Sequence, residues 1–267
     1  MRKWLYILLA LLPVVSCVGQ KDDPLPDPGP EPIPDVPGGA DEGKDAFRRS
    51  LVLDFTGTWC VNCPKMTAAI DELMTSRPGR IVPVAVHCMS IDPMYVKPAS
   101  DDLIQQFDVK AYPSAVVDLD PESLVTQSSP ELLQAHVDRL LEARGPAACI
   151  RILSAGEGEA PSVTVEARLV REGNYTLALL FLEDGIVASQ TGGTTDYVHN
   201  HVLRQWHGSE LFPDRKEGDV ISFKWEGELP EKGRLTALVC RDGLVDNVTQ
   251  CAAGASADFE YEEENKQ

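Results

Sequence analysis

Positive charge is scarce in this chain. Lys and Arg number 24 against 42 Asp and Glu in 267 residues, so the formal net charge at pH 7 is −18. A surface this acidic repels phosphate backbones, which argues against a nucleic-acid-binding protein. With 43% hydrophobic and 25% charged residues, the chain has neither the low apolar content of a disordered protein nor the excess of a polytopic membrane protein. We therefore expect a globular protein with room for two modest domains.

The N-terminus lacks a hydrophobic run long enough to cross a bilayer. Residues 4–15 (WLYILLALLPVV) are apolar, but a transmembrane helix needs about 20 such residues. Preceded by Arg2 and Lys3, this run has the shape of a signal peptide. It ends in Val-Val-Ser-Cys, which resembles the bacterial lipobox, where a diacylglycerol is attached to the Cys and the chain is cleaved just before it. We predict a signal peptide over residues 1–16 and lipidation at Cys17; the alternative is an ordinary secretory signal with an incidental Cys.

Two features after Cys17 bear on where the anchored protein lies. Val18 and Gly19 differ from the Asp that retains an enteric lipoprotein at the inner membrane, and residues 20–23 (QKDD) resemble the export signal of surface lipoproteins in Bacteroidetes-type bacteria. These resemblances imply an outer-membrane lipoprotein facing the periplasm or the cell surface. Proline then occupies every second position from 24 to 34, which favours extended polyproline II. We predict a tether over residues 17–44; a ligand for a proline-recognition domain is the other interpretation.

Residues 45–146 have the pattern of alternating strands and helices. The apolar run 49–55 (RSLVLDF) is typical of a buried strand, and the run 59–64 (WCVNCP) follows it. Apolar residues then recur every three or four positions, as in an amphipathic helix, at Met66, Ala69, Ile70, Leu73 and Met74. We predict further strands at 81–86 and 115–119, helices at 103–107 and 130–144, and a doubtful strand at 124–126. The predicted order is β-α-β-α-β-(β)-α.

The two cysteines of the CxxC motif, Cys60 and Cys63, are placed for thiol chemistry. Cys60 lies where a helix begins, and the unpaired N–H groups and macrodipole there lower the pKa of a thiol. With two residues between them, one helical turn brings the sulfurs of Cys60 and Cys63 within bonding distance, so that Cys63 can resolve a mixed disulfide. Asp54, expected to be buried at the end of its strand, would have a raised pKa and can accept the Cys63 proton.

Residues 45–145 resemble thioredoxin. The resemblance is carried by the WCxxC at a strand-to-helix junction, by Asp54 six residues before Cys60, and by the pair Tyr112-Pro113 that opens a later strand. It implies an α/β thioredoxin-like domain in which Pro113 follows a cis peptide bond and lies against the disulfide, while Trp59 and Tyr112 shape the surface that receives a partner's chain. Val-Asn replaces Gly-Pro between the cysteines, so the reduction potential does not follow from the resemblance.

Less reactive interpretations of the same residues stay open. A CxxC can be half of a zinc site, although residues 45–146 lack a second Cys or His pair at suitable spacing. The Cys60–Cys63 pair can be a structural disulfide without redox turnover, and Asp54 can be an ordinary polar residue at a strand end. Cys88 can be a third thiol near the pair or a buried cysteine that acts as a small apolar residue.

From residue 147 the pattern changes to period two. Residues 162–168 (SVTVEAR) alternate, and similar runs follow at 176–182, 219–225 and 235–239, separated by Gly, Pro, Asn and Asp. Residues 183–185 and 241–243 have the composition of hairpin turns. This part contains no nucleotide-binding loop and no catalytic-triad motif. We predict an all-β sandwich domain over residues 147–262.

The second part, with the segment 196–204 (DYVHNHVLR), is similar to the outer-membrane-protein-28-related lipoprotein family. Members of that family place a thioredoxin-like domain before a β-sandwich, behind a lipobox. The resemblance implies architecture and location more than mechanism. His199, His201 and His207 permit a metal interpretation, but no acidic or Cys ligand stands at obvious spacing, so no metal site is predicted.

The remaining cysteines leave their pairing open. With Cys17 lipidated and Cys60 paired with Cys63, four cysteines allow three pairings. A bridge from Cys251 to either Cys240 or Cys149 would staple the sandwich by about 2–4 kcal/mol.

These observations predict an anchored thiol–disulfide oxidoreductase that uses Cys60, Cys63, Asp54 and Pro113, needs no cofactor, and acts on protein or small-molecule thiols outside the cytoplasm. The alternative is a non-enzymatic surface or envelope binding lipoprotein whose CxxC is a structural disulfide. A metal- or haem-binding role for the sandwich, resting on histidines alone, is the third hypothesis.

Overall fold

The computed structural model describes residues 45–155, 161–229 and 232–262. The predicted signal peptide, Cys17 and the proline-rich tether lie outside the described residues. Among the described helices, none combines the length and the apolar character that crossing a bilayer requires.

The first half of the described chain alternates strands and helices. Its elements are β1 (Ser50–Thr56), α1 (Cys63–Ser76), β2 (Ile81–His87), α2 (Ala99–Gln106), β3 (Ser114–Val117), a short 3₁₀ helix (Pro121–Ser123) and α3 (Pro130–Arg144). Every residue of β1 is buried, as expected for a strand covered on both faces. α3 begins after Ser129, whose side chain accepts a hydrogen bond from the Leu132 backbone N–H, a standard N-cap.

The second half consists of strands. They are β4 (Cys149–Ala155), β5 (Ser162–Arg168), β6 (Gly173–Glu183), β7 (Ile186–Ala188), β8 (Tyr197–His199), β9 (Val202–Gly208), β10 (Phe212–Arg215), β11 (Val220–Glu226), β12 (Arg234–Arg241) and β13 (Leu244–Ala252). The described protein is therefore mostly β, with three α-helices in the described ranges.

One mixed sheet joins the two halves. Within the described residues it runs β13-β12-β6-β9-β2-β1-β3, with β10 pairing β6. β1–β2 and β2–β9 are parallel, and the other pairs of this sheet are antiparallel. The link between the halves is the β2–β9 pair, where Ala85 N–H donates to the His201 carbonyl oxygen at 2.8 Å. The segments predicted as separate domains, 45–146 and 147–262, thus share a sheet.

The two faces of this sheet are covered differently. On one face of β1, Leu51, Leu53 and Phe55 belong to an apolar core that continues onto β6, β12 and β13. On the other face, Val52 packs with α1 and α3. A three-stranded sheet, β11-β5-β4, covers the opposite side of β6 and β12. Asp54 and Thr56 share a face with Val52 because side chains alternate along a strand, and so they point toward α1.

Two local predictions change in the structure. Residues 124–126 form only an isolated bridge, between Ala115 and Val125. The prediction of a hairpin turn at residues 183–185 is wrong, because β7 pairs with β8 and not with β6. Both edges of β6 are already occupied there, since Leu182 pairs with Arg234 of β12 and Glu183 with Val202 of β9. The turn predicted at 241–243 is confirmed by the antiparallel pairing of β12 with β13.

Neither of the bridges considered for the sandwich, Cys240–Cys251 or Cys149–Cys251, is formed. Cys88, Cys149, Cys240 and Cys251 are free and buried. Cys240 belongs to the core on one face of the large sheet and Cys251 to the core on the other, while Cys149 packs beside Phe259. Side chains on opposite faces of a sheet cannot be bridged without moving the backbone.

Candidate redox site

A disulfide closes the loop between β1 and α1. The Cys60–Cys63 bond predicted as the site's disulfide is present, with the two Cα atoms 5.4 Å apart. Cys63 is the first residue of α1, and Cys60 N–H donates to the Gly57 carbonyl oxygen at 3.0 Å. The helix has no side-chain N-cap and no acidic residue in its first turn. Its free N–H groups therefore favour negative charge near this sulfur pair.

Asp54 is the buried carboxylate behind the disulfide. Its Oδ2 accepts a hydrogen bond from the Thr67 hydroxyl at 3.2 Å, and the same hydroxyl lies 3.5 Å from the Cys63 carbonyl oxygen. Asp54 Oδ1 is buried without a hydrogen-bond partner. Burial raises the pKa of Asp54 to about 7, the Thr67 hydrogen bond opposes the rise, and the charge of Asp71 adds to it. A carboxyl group with this pKa can exchange a proton near neutral pH.

The residues predicted to receive a partner lie together beside the disulfide loop. The Tyr112–Pro113 peptide bond is cis, and Pro113 immediately precedes β3, whose Ser114 pairs with Phe55. The rings of Trp59 and Tyr112 meet edge to face with their centroids 5.3 Å apart. Trp59 Nε1–H donates to the Cys88 carbonyl oxygen at 3.1 Å. Both aromatic side chains are partly exposed.

A loop from the second half of the chain covers the disulfide loop. We call residues 190–193, between β7 and β8, the covering loop. Gln190 Nε2–H donates to the carbonyl oxygens of Gly57 at 3.1 Å and Cys60 at 2.9 Å. Thr191 N–H donates to the Thr58 carbonyl oxygen at 2.8 Å.

Gly192 brings the covering loop closest to the cysteine pair. Its φ is +80°, and a Cβ there would collide with the Val61 carbonyl oxygen, so only glycine fits. Beneath this cover Cys60 is 6% exposed and Cys63 is 1% exposed. Sequence reasoning missed the covering loop; the adjacent glycines at 192 and 193 were the available signal, because they permit close backbone approach.

A polar cavity lies on the α1 side of the sheet. Its volume is about 110 Å³, and α1, β1, β2 and the β7–β8 hairpin wall it. Asp54, Thr67, His87 and His199 are among its lining residues. The Nε2 atoms of His87 and His199 are buried without hydrogen-bond partners, as is Asp54 Oδ1. Buried polar atoms without a protein partner are uncommon and mark a place for water or for chemistry.

A second carboxylate fixes one of these histidines. Asp92 Oδ1 lies 3.1 Å from His87 Nδ1, and Asp92 also accepts hydrogen bonds from the backbone N–H groups of Met94 at 2.9 Å and Thr58 at 2.6 Å. Burial alone would raise the pKa of Asp92, but His87 and the two N–H groups outweigh it, and the pKa is lowered. Neither His87 nor Asp92 was predicted as a site residue from the sequence, because neither belongs to a recognisable motif.

The other cysteine and histidines near this site have partners of their own. Burial raises the pKa of the Cys88 thiol to about 12, and its Sγ lies 3.1 Å from the Val86 carbonyl oxygen. His201 also lines the cavity, and its Nδ1 lies 3.3 Å from Asp184; His207 does not line the cavity, and its Nε2 lies 2.8 Å from Gln205 Oε1. In the part of the chain that the structure describes, no three His, Cys, Asp or Glu side chains are grouped as metal ligands.

Comparisons with known proteins identify a fold. No protein-family model matches the chain, and no curated protein matches it. The chain resembles HBP35 of Porphyromonas gingivalis. That structure superposes with a TM-score of 0.63 at 15% identity, covering 79% of this chain and 76% of HBP35. Protein AGR_C_4864 from Agrobacterium tumefaciens superposes with a TM-score of 0.53 at 13% identity, covering 82% of this chain and 96% of that one. At identities this low, the superpositions indicate a similar fold and give no information about activity.

Proposed function

We propose that this protein is a thiol–disulfide oxidoreductase of the cell envelope that acts on protein or small-molecule thiols through Cys60 and Cys63. The observation that carries the proposal is the disulfide at the start of α1 together with buried Asp54, a carboxyl group of pKa about 7 that is hydrogen-bonded to Thr67, one turn after Cys63 on the same helix. A nucleophilic sulfur at a helix N-terminus and a proton acceptor behind its partner are what disulfide exchange requires.

In the reducing direction, the Cys60 thiolate attacks a substrate disulfide and releases one substrate sulfur as a thiolate. Cys63 then gives its S–H proton to the Asp54 carboxylate, and the Cys63 thiolate attacks Cys60 Sγ. The Cys60–Cys63 bond forms as the bond from Cys60 to the substrate breaks, and the second substrate sulfur leaves with the electron pair. The substrate disulfide gains two electrons and the cysteine pair loses two; a protein or small-molecule dithiol restores the pair.

The proposal includes the architecture and the location expected from the sequence. The β-α-β order of residues 50–87, the Cys60–Cys63 disulfide and the cis bond before Pro113 support a thioredoxin-like domain over residues 45–146. The strands of residues 147–262 support a sandwich of the kind found in outer-membrane-protein-28-related lipoproteins. We infer that Cys17 carries the lipid that holds the protein at the outer membrane, facing the periplasm or the cell surface, and that nucleic acid is not a partner.

Trapping a mixed disulfide tests this function. A Cys63→Ser variant cannot resolve the intermediate, so we expect it to accumulate Cys60 linked to glutathione or to oxidised insulin, visible by mass spectrometry. The wild type should reduce insulin in the presence of dithiothreitol. A Cys88→Ser variant is the matched control and should retain this activity, because the Cys88 thiol is buried and its pKa is about 12. Absence of both the adduct and turnover at every redox poise would reject the proposal.

One observation favours a second candidate function. The covering loop and the low exposure of Cys60 suit a structural disulfide in a non-enzymatic binding lipoprotein. The two candidates differ in how the disulfide responds to glutathione. A disulfide that opens at millimolar glutathione, with a Cys60 thiol that alkylates rapidly below about pH 7, supports exchange, whereas a bond that persists supports a structural role.

A further inference from the structure

The Asp54 carboxyl group is buried, and its one hydrogen-bond donor is the partly exposed Thr67 hydroxyl. Each cycle of the proposed exchange leaves a proton on Asp54 that must depart before the next cycle. The second carboxylate oxygen, Oδ1, has no partner, and Asp54 lines the polar cavity, so the cavity offers this proton an outlet.

Two histidines that line this cavity, His87 and His199, each have a buried Nε2 atom without a hydrogen-bond partner. Asp92 is an acceptor, so it takes the hydrogen bond of His87 Nδ1–H, while His87 Nε2 is buried without a partner. The His199 ring interacts with the Ala188 backbone, and its Nε2 is again without a partner. The two rings meet edge to face, with centroids 5.3 Å apart.

The cavity connects this interior to the surface. Asp54, His87 and His199 are buried lining residues, whereas Val198 and Asn200, which line the same cavity, are exposed. Water in a polar cavity of about 110 Å³ can bridge groups that do not touch, since a single water needs far less space.

We propose that His87 and His199 relay protons between Asp54 and solvent through this cavity, with Asp92 orienting His87. The inference rests on the proposed function and assigns a role to residues beyond the cysteine pair. The proton left on Asp54 after Cys63 attacks Cys60 passes to an imidazole Nε2 and from there to water; no electron moves in this step. The histidines do not contact the reacting sulfurs, so they are positioning residues that act through Asp54.

The other titratable groups around Asp54 are compatible with this path. Asp71 of α1 lines the cavity, and burial raises its pKa. Tyr197 of β8 interacts with Thr67, and burial raises the pKa of its hydroxyl. Burial lowers the pKa of His201, and that of His199 is lowered by burial and then by His87. The unpartnered Nε2 of His199 lies in the wall of this cavity, where water can bridge it to the other polar groups.

The test compares His87→Gln and His199→Gln with His136→Gln, a control on the surface of α3. The steady-state rate of glutathione disulfide reduction, with excess dithiothreitol to restore the cysteine pair, is measured from about pH 6 to pH 9, because the relay acts between one cycle and the next. We expect both cavity variants to be roughly tenfold slower at about pH 6 and less than twofold slower at about pH 9, where hydroxide removes the Asp54 proton. Imidazole added to the buffer should restore part of the rate, and the control should match the wild type.

A loss that is equal at all pH values, or that His136→Gln shares, would overturn the relay. A second measurement needs neither a folded variant nor turnover. Carbon-13 NMR of the wild-type Asp54 carboxyl should show a titration in two steps, because coupled groups titrate together. A single-step titration of the Asp54 carboxyl would also overturn the relay. If the wild type shows the two-step titration but exchanges disulfides with no thiol, the proton coupling between Asp54 and the cavity is supported and the proposed function fails.

Discussion

Two buried carboxylates of this protein lie in opposite surroundings. Asp246 lies where α3, β4, β12 and β13 meet, and its Oδ2 accepts a hydrogen bond from Ala148 N–H at 2.8 Å. Its Oδ1 is 3.5 Å from Arg144 Nη2 and 3.3 Å from Arg241 Nε. Asp54 lies in the cavity beside the disulfide, and none of the described groups that shift its pKa is a cation.

The difference separates a carboxylate whose charge is compensated from one whose charge is not. Two arginines and an N–H group compensate the charge of Asp246, so this residue holds together segments from both halves of the chain. Asp54 has one hydrogen bond, and no cation is among the groups that shift its pKa, so burial raises that pKa. Perturbed pKa values of this kind cluster at functional sites.

Removing the compensated carboxylate should have the largest effect. We expect Asp246→Ala to lower the free energy of unfolding by about 3–5 kcal/mol, because it leaves two buried arginines without their counter-charge. Urea denaturation followed by circular dichroism measures it. The control, Asp138→Ala, removes an ion pair with Arg77 whose Asp138 side chain is 50% exposed, and should cost less than about 1 kcal/mol. Equal losses of unfolding free energy in the two variants would show that the buried ion pairs of Asp246 stabilise the protein no more than an exposed pair does.

Removing the uncompensated carboxylate, Asp54, should instead raise the free energy of unfolding at alkaline pH. The folded pKa of Asp54, about 7, lies above the unfolded value of 3.8, so its contribution to stability is largest below about pH 4 and is lost as pH rises through 7. Asp54→Asn should therefore unfold like the wild type at about pH 4 and be more stable at pH 8 by up to about 4 kcal/mol.

Urea titrations at the two pH values measure the Asp54→Asn effect, and the same variant should exchange disulfides more slowly because Cys63 loses its proton acceptor. An Asp54→Asn variant that is less stable than the wild type at pH 8 would show that the protein compensates the charge of Asp54 as it does that of Asp246, which would contradict the difference between the two carboxylates.

Loosening the covering loop should have the smallest effect. Gln190→Ala removes the donor to the Gly57 and Cys60 carbonyl oxygens, which costs about 1–3 kcal/mol of local stability. We expect reduction of the disulfide by glutathione to be roughly tenfold faster, because the opened loop is more populated. Gln205→Ala, whose partner is His207, is the control and should leave this rate unchanged. An unchanged rate in Gln190→Ala would show that the loop does not limit access.

Local sequence patterns located most of the elements. The apolar stripe of α1 and the run 130–144 are helices as predicted, and each run of period two contains a strand. These predictions hold because a side-chain period reports which face of a segment is buried. The pattern does not report which strand lies alongside, and so the β2–β9 pair and the β7–β8 hairpin were not foreseen. The β2–β9 pair joins residues far apart in the chain, and the two strands of the β7–β8 hairpin are only three residues long, too short to show a side-chain period.

The chain's own order determines that Cys60 and Cys63 can close a ring, because two intervening residues and the start of a helix bring their sulfurs together. Only the tertiary structure decides how that pair behaves. Gln190 contacts Cys60 across a separation of 130 positions, and His199 comes from the same distant hairpin. Since the pKa of Asp54 depends on how completely such neighbours exclude water, its value is a property of the assembled molecule.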